Sequence, residues 1–432
     1  MDHYTLQCLG CNKYYPDSED GFFLQCRENH KPALLRAKYS AKQLTIRDDN
    51  PGIFRYSDWL PIRKIHPSAD QAVVFRSEAL ASRIGLENLF IAFNGYWPEK
   101  GARFETCSFK ELEALAVTAR IPDFEKRTLV VSSAGNTGMA FLQVCSKMGI
   151  PLLVVVPAPA LSVMWITVEK HPAVTLVALE GGADYLDCIE LADAIAEREE
   201  FYPEGGAKNV ARRDGMGTVV LAAAEALGYI PDHYVQAVGS GTGGIAAWEA
   251  SNRLAEDGRF GSRRVRLHLV QNAPFSIISD AWQQASPVLL PVDEKIARAR
   301  IAEVYSKILS NRQPPYSTSG GVFDALKATQ GYAYSVTNDE ARNAGRLFYE
   351  LEGCDIHPAA AVALAGLCQA VTAGNIGKKD SVLLNITGGG TEKLEREGKK
   401  IQLKPDAVFS RSDTSLEDIS ERLTELHKVK SN

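Results

Sequence analysis

Cysteine is scarce in this chain. Eight in 432 residues are too few for a disulfide scaffold, so they read as reduced thiols of a cytoplasmic protein. An excess of positive charge is also missing. The formal net charge is -5 and the pI about 6.0, which gives no pull towards nucleic acid or an anionic membrane. Long apolar runs are absent: the longest, Ile150 to Leu161, is broken by prolines and is too short to cross a bilayer. The opening MDHYTLQC lacks the basic start and apolar core of a signal peptide. There is no internal repeat and no low-complexity stretch. What remains is 45% hydrophobic and 23% charged, ordinary for a core-forming protein, at a length that favours two or three domains.

Residues 1–45 read as a small leading module. Cys8-Leu-Gly-Cys11 is a CxxC knuckle, followed by Cys26 and His30. That spacing can build a Cys3His zinc ribbon. A ribbon usually closes with a second CxxC, however, and the place three after Cys26 holds Asn29. The other reading is a ribbon that has lost its metal and holds together by packing, and no metal is assigned here. Arg55 to Pro61 reads as an extended, aromatic-rich connection, and Gly95 to Arg103 as a polar loop. Short apolar β-prone runs at Leu89–Phe93, Thr128–Ser132, Leu152–Val156, Val174–Leu179, His233–Val238, Val265–Val270 and Ser381–Ile386 predict strands. Helical periodicity fills the gaps at Thr137–Met148, Asp184–Glu199, Met216–Leu227, Asp339–Glu352 and Ala359–Ala373. Strands alternating with helices predict an α/β fold whose parallel sheet is covered on both faces. At the end, Ser415 precedes Leu416, Ile419, Leu423 and Leu426, with Asp418 three residues after the serine, which predicts a capped amphipathic helix.

Four stretches carry chemistry. Lys110 follows Ser108 and Phe109 and opens a helical run through Leu112, Leu115 and Ala116. An amine there meets the positive end of the helix dipole and partial desolvation, and both favour its neutral form. A neutral lysine amine is what Schiff-base chemistry needs; a snorkelling surface lysine is the ordinary alternative. Ser133-Ala-Gly-Asn-Thr-Gly138 lies between a strand and a helix, where free N–H groups attract an anion. Asn136 adds a donor and an acceptor, although a plain turn would use the same residue types. Gly239-Ser-Gly-Thr-Gly-Gly244 satisfies GxGxxG. The next strand ends in Gln271 and Asn272, so the acidic ribose anchor of a dinucleotide site is missing. No Gly-Lys-Ser/Thr follows to make a nucleotide P-loop. The loop of Gly239, Ser240, Gly241, Thr242, Gly243 and Gly244 suits a single phosphate monoester. Finally, Thr387 places a hydroxyl at the end of the last strong strand, with Thr391 as its rival. A lysine, an Asn-bearing anion loop, a phosphate loop and a strand-end hydroxyl together match pyridoxal phosphate, which offers an aldehyde, a phenolic oxygen, a phosphate and a ring nitrogen.

In this order the motifs resemble those of the fold-type II pyridoxal-phosphate enzymes. The CxxC leader and the RYSDWLP segment are similar to threonine synthases. The stretch FNGYWPEKGARFETCSFKELEAL most resembles a cysteate-forming branch of that family, which serves coenzyme M biosynthesis. The Asn-Pro-Thr-Gly that the family carries before Ser-Phe-Lys is replaced by Phe104-Glu-Thr-Cys107.

The resemblance implies two doubly wound parallel-sheet domains behind the leader. Residues 46–110 and 216–408 would form the large cofactor-binding domain, 111–215 the small one, and 409–432 a helical tail. Lys110 would hold the cofactor and move the substrate Cα proton. Asn136 would bond the phenolic oxygen. Ser133, Gly135, Asn136 and Thr137 would take the substrate carboxylate. Gly239 to Gly244 would hold the phosphate, and Thr387 would face the ring nitrogen. The implied reaction is β-replacement, in which O-phospho-L-serine and sulfite give L-cysteate and phosphate. Lys100 and Arg103 are candidates for the anions, though an exposed loop explains them equally well, and that site stays unassigned. Threonine synthase acting on O-phosphohomoserine is the near alternative. A non-catalytic amino-acid-binding protein is the distant one, which retention of Lys110 disfavours. A homo-oligomer is implied by the family alone.

Overall fold

The Val- and Leu-rich runs become the central strands of two separate parallel sheets. In the computed structural model, which describes residues 3–17, 22–133, 135–411 and 415–431, six strands form one sheet. Their order is Tyr332–Val336, Arg266–Asn272, His233–Ala237, Ser381–Ile386, Asn88–Phe93 and Val73–Arg76. All neighbours run parallel except the edge strand Val73–Arg76. The second sheet is parallel throughout, in the order Phe201–Pro203, Thr128–Ser132, Leu152–Pro157, Val174–Glu180 and Ala407–Ser410. Leu152–Pro157 and Ser381–Ile386 are buried at every position. Helices cover both faces of such strands, so neither face alternates to polar residues. A three-stranded antiparallel sheet of Tyr4–Cys8, Tyr14–Tyr15 and Leu35–Tyr39 makes the leading module.

A layer of four helices joins the two large sheets. Asn136–Met148 packs on Lys110–Arg120, which packs on Val210–Leu227, which packs on Thr242–Asp257. Val210–Leu227 is buried continuously from Val210 to Ala224. Its contact with the Lys110 helix is close enough to require glycine: a Cβ on Gly215 would lie 2.4 Å from the carbonyl oxygen of Leu112. The Val210–Leu227 helix starts earlier than its apolar pattern suggests. The polar run Arg212, Arg213 and Asp214 belongs inside it, each residue buried and paired: Arg212 with Glu204, Arg213 with Glu249, and Asp214 with Arg253.

Other elements also depart from the sequence reading. Residues 52–59 form a 3-10 helix rather than an extended segment, because Ile53, Phe54, Tyr56 and Trp59 all turn into the core. The Gly95–Arg103 loop contains a small hairpin of Tyr96–Trp97 with Ala102–Arg103. Three short helices, Ile277–Gln283, Glu294–Glu303 and Val322–Ala328, carry too little periodicity to be read from sequence. Domain boundaries drawn at 110, 215 and 408 all fall inside regular elements, and Ala407–Ser410 pairs with Val174–Glu180 of the second sheet. The last helix, Leu416–Ser431, is capped by Ser415, which accepts from the Asp418 N–H at 3.1 Å. It buries Ile419 and Leu423 against Leu191 and Ile195. The side chains of Leu416 and Leu426 lie outside the described residues.

Candidate active site

Lys110 begins its helix at the carboxyl edge of the six-stranded sheet. The segment before it is tied to the loop that leaves Ser381–Ile386. Phe109 N–H donates to the Thr387 carbonyl at 3.0 Å, Gly389 N–H donates to the Cys107 carbonyl at 3.1 Å, and Ser108 bridges Gly388. Cys107 holds a left-handed φ of 53°, a conformation that glycine adopts freely and that costs other residues on the order of 1–3 kcal/mol. This is the position where the family's pattern carries glycine, so the altered segment keeps the turn and accepts its strain. Gly388 is forced by space, since a Cβ there would lie 2.4 Å from His357 Nδ1.

The Lys110 amine is part of a buried charge cluster. Its Nζ donates to Glu113 Oε2 at 3.0 Å, one helical turn on, and Glu113 is fully buried. Arg212 faces the other carboxylate oxygen at 3.5 Å and bonds Glu204 at 2.9 Å. Burial pushes the Lys110 pKa down; Glu113 opposes that and Arg212 adds to it, leaving the amine below its ordinary value. Burial alone would push the Glu113 carboxyl up. Arg212 and Lys110 outweigh it, helped by a hydrogen bond from Thr137, and hold the carboxyl below its ordinary value. Two cations thus share one carboxylate, and the lysine is the one that can surrender its proton.

The two glycine turns lie on either side of one short segment. A Cβ on Gly135 would lie 3.1 Å from Ile308 Cγ2, and one on Gly239 would lie 3.1 Å from Leu309 Cα. Residues 307–309 therefore bring the two turns together from opposite sheets. Asn136 starts its helix at Gly135, and Thr242 starts its own at Gly241, in both cases with no side chain capping from that position. Elsewhere Ser77, Asp184 and Thr337 cap their helices. Gly241 has φ 78°, and a Cβ there would lie 2.3 Å from Val322 Cγ2, so only glycine fits. The Gly239–Gly244 turn follows His233–Ala237 and Thr387 follows Ser381–Ile386. These strands are parallel neighbours, which puts turn and hydroxyl at one edge of the sheet. Such an edge, with backbone N–H groups at helix starts and a desolvated amine, can hold a phosphorylated carbonyl compound.

Among the assigned residues, Lys110, Thr137 and Thr387 are brought together through Glu113 and Phe109. Ser133 is different: its hydroxyl accepts from Gly138 N–H at 2.8 Å and Gly135 N–H at 3.1 Å. It is spent on shaping its own turn. Ser240 and Thr242 hydrogen-bond each other at 2.8 Å. Thr391, the rival hydroxyl, is paired with His357 Nε2 at 2.7 Å. Lys100 places its ammonium over the Phe75 and Trp97 rings, and Arg103 is an exposed residue whose backbone N–H donates to Asp70. Glu113, Arg212 and Glu204 were missed. The only signal for Glu113 was its spacing of three from Lys110.

The family model described as "Pyridoxal-phosphate dependent enzyme" matches residues 94–388. Cysteate synthase of Methanosarcina acetivorans is 46% identical over 97% of this chain and 100% of its own. Cysteate synthase of Methanocella paludicola is 47% identical over 98% of each, and that of Methanoculleus marisnigri 49% identical over 94% of this chain and 92% of its own. Among solved structures, maize serine racemase superposes with a TM-score of 0.56 at 15% identity, covering 76% of this chain and 93% of that one. Threonine deaminase of Solanum lycopersicum gives 0.53 at 16% identity, over 75% and 87%. These last two share the fold.

Proposed function

The chain belongs to the pyridoxal-phosphate dependent enzyme family, and we propose that within it the protein catalyses β-replacement on O-phospho-L-serine, with sulfite as the incoming nucleophile and L-cysteate and phosphate as products. The observation that carries this reading is the end-to-end likeness to proteins named cysteate synthase. The site residues fit the cofactor. Lys110 supplies an amine that burial holds below its ordinary pKa, and Gly239 to Gly244 open a helix whose N-cap, Gly241, carries no side chain to compete for a phosphate. In this reading Asn136 bonds the phenolic oxygen, Gly135, Asn136 and Thr137 take the substrate carboxylate, and Thr387 faces the ring nitrogen.

Bound there, pyridoxal phosphate supplies an electron sink for the carbanion at the substrate Cα. Lys110 takes the Cα proton and returns it, with Glu113 accepting a hydrogen bond from the amine whenever it is charged. Over the cycle the Cβ–O bond to phosphate breaks and a Cβ–S bond to sulfite forms. A hydroxyl rather than a carboxylate at Thr387 would leave the ring nitrogen of a bound cofactor unprotonated, which would suit elimination and replacement better than transamination. We place this reaction in coenzyme M biosynthesis, in the cytoplasm, and in a homo-oligomer. Among the described residues no helix is long and apolar enough to cross a membrane.

Purified protein supplied with pyridoxal phosphate is expected to release phosphate from O-phosphoserine only when sulfite is present, with cysteate formed in equal amount. Lys110→Ala is expected to lose both the visible imine absorption and the activity. Phosphate release from O-phosphohomoserine in water, without sulfite, would replace this reading with threonine synthesis.

A further inference from the structure

The leading module gathers Cys8, Cys11, Cys26 and His30, whose ligand atoms all lie within 4.8 Å of one another. Cys11 Sγ is 3.6 Å from Cys26 Sγ, and Cys8 Sγ is 3.3 Å from His30 Nε2. A tetrahedral ion with zinc–sulfur bonds of about 2.3 Å sets its sulfur ligands about 3.8 Å apart. The cluster therefore already has nearly the spacing that four bonds to one ion would impose.

The surroundings are those of a ligand set. His30 Nδ1 lies 2.6 Å from the Lys31 carbonyl. Its proton belongs on that nitrogen, and the Nε2 lone pair points at the thiols. Gly10 N–H donates to Cys8 Sγ at 3.3 Å, and Glu28 N–H to Cys26 Sγ at 3.4 Å, as backbone amides do for thiolates. Asn12 turns the knuckle with φ 61°, and a Cβ on Gly10 would lie 2.9 Å from both Ala33 Cβ and His30 Cε1. The second CxxC expected from sequence is not needed, because the fold brings His30 to the fourth position.

We propose that these four residues bind one structural Zn2+, closed to substrate, which locks the module onto both sheets. Leu9, inside the knuckle, packs on Gly320 of the large-sheet half, and Leu34 N–H donates to Ser319. On the Cys26 side, Phe22 meets Tyr202 edge-on at 5.5 Å and Leu24 packs on Gly205, beside Glu204 of the Lys110 cluster. One ion thus joins two limbs that rest on different sheets.

Elemental analysis of the purified holoenzyme is expected to find one zinc per chain. Cys26→Ser and Cys11→Ser should lose it, while Cys368→Ser, far from the cluster, should keep it. Cobalt substitution should give the intense visible spectrum of a tetrahedral thiolate site. If the variants do not fold, a thiol-blocking mercurial added to the wild type should release one zinc per chain. Chelation should lower the melting temperature, and zinc should restore it. Absence of zinc together with no cobalt uptake, iron in place of zinc, or zinc retained by Cys26→Ser would each overturn the proposal.

Discussion

Glu113 shows how one buried carboxylate sets the behaviour of the reactive amine. It accepts from Lys110 and faces Arg212, so it partly offsets the burial that lowers the lysine pKa. Replacing it by Gln leaves Arg212 unopposed on that side and should lower the Lys110 pKa further. The acid limb of the pH profile for imine formation between the apoenzyme and pyridoxal phosphate is then expected to move to lower pH in Glu113→Gln, and turnover to fall several-fold. An unmoved limb in stopped-flow absorbance would show that the pair does not govern the amine. The same residue-scale reasoning explains Ser133. Its hydroxyl accepts from two N–H groups of its own turn and donates its one proton to the Gly135 carbonyl at 3.2 Å, so no donor is left for a carboxylate.

The glycine turns test the argument at the scale of an element. Gly241 and Gly228 both hold left-handed backbone, at φ 78° and 76°, but only Gly241 has a neighbour in the way. Gly228→Ala should therefore cost about 1 kcal/mol of stability. Gly241→Ala should add an overpacking cost of about 1–3 kcal/mol. It should also weaken pyridoxal phosphate binding, because the N–H groups of Thr242, Gly243 and Gly244 shift with the turn. Urea melts and cofactor titration of the two variants check both halves. The helix Val210–Leu227 makes a related point. It has no polar face, so its charged residues pair inwards with Glu204, Glu249 and Arg253, and its burial is what holds the two sheets together.

At the scale of the whole molecule, burial disfavours the charged form of several histidines, among them His66 and His268 in the core and the half-buried His357. Burial pushes His66 down to about 4, His268 to about 3 and His357 to about 4. In the unfolded chain each titrates near about 6.5, so between those values the unfolded state binds more protons. The stability they contribute is complete above pH 6.5 and is lost as pH falls through the folded values. The urea midpoint is expected to drop between pH 6.5 and 4, and His66→Asn to lessen the drop by roughly 3 kcal/mol at pH 4. An equally steep acid limb in that variant would mean that His66 is not held neutral. The halves are also tied across the site, since Arg298 and Arg312 both pair with Asp184 at 2.9 and 2.8 Å.

Some of this was determined by sequence alone, because it depends on contacts between near neighbours. Apolar β-prone runs bounded by turns had to become buried strands, Ser108-Phe109-Lys110 had to start a helix, and Gly239 to Gly244 had to turn into another. Each follows from periodicity or from backbone freedom within a few residues. Only the tertiary structure could decide what crosses the chain. It placed Arg212 beside Glu113, set Ile308 between two glycine turns from different sheets, and brought His30 to the three thiols. It also drew Arg213 and Asp214 into a helix that their polarity argued against. Burial and charge pairing act through space, and the partners of a buried group lie too far along the chain for any local pattern to announce them.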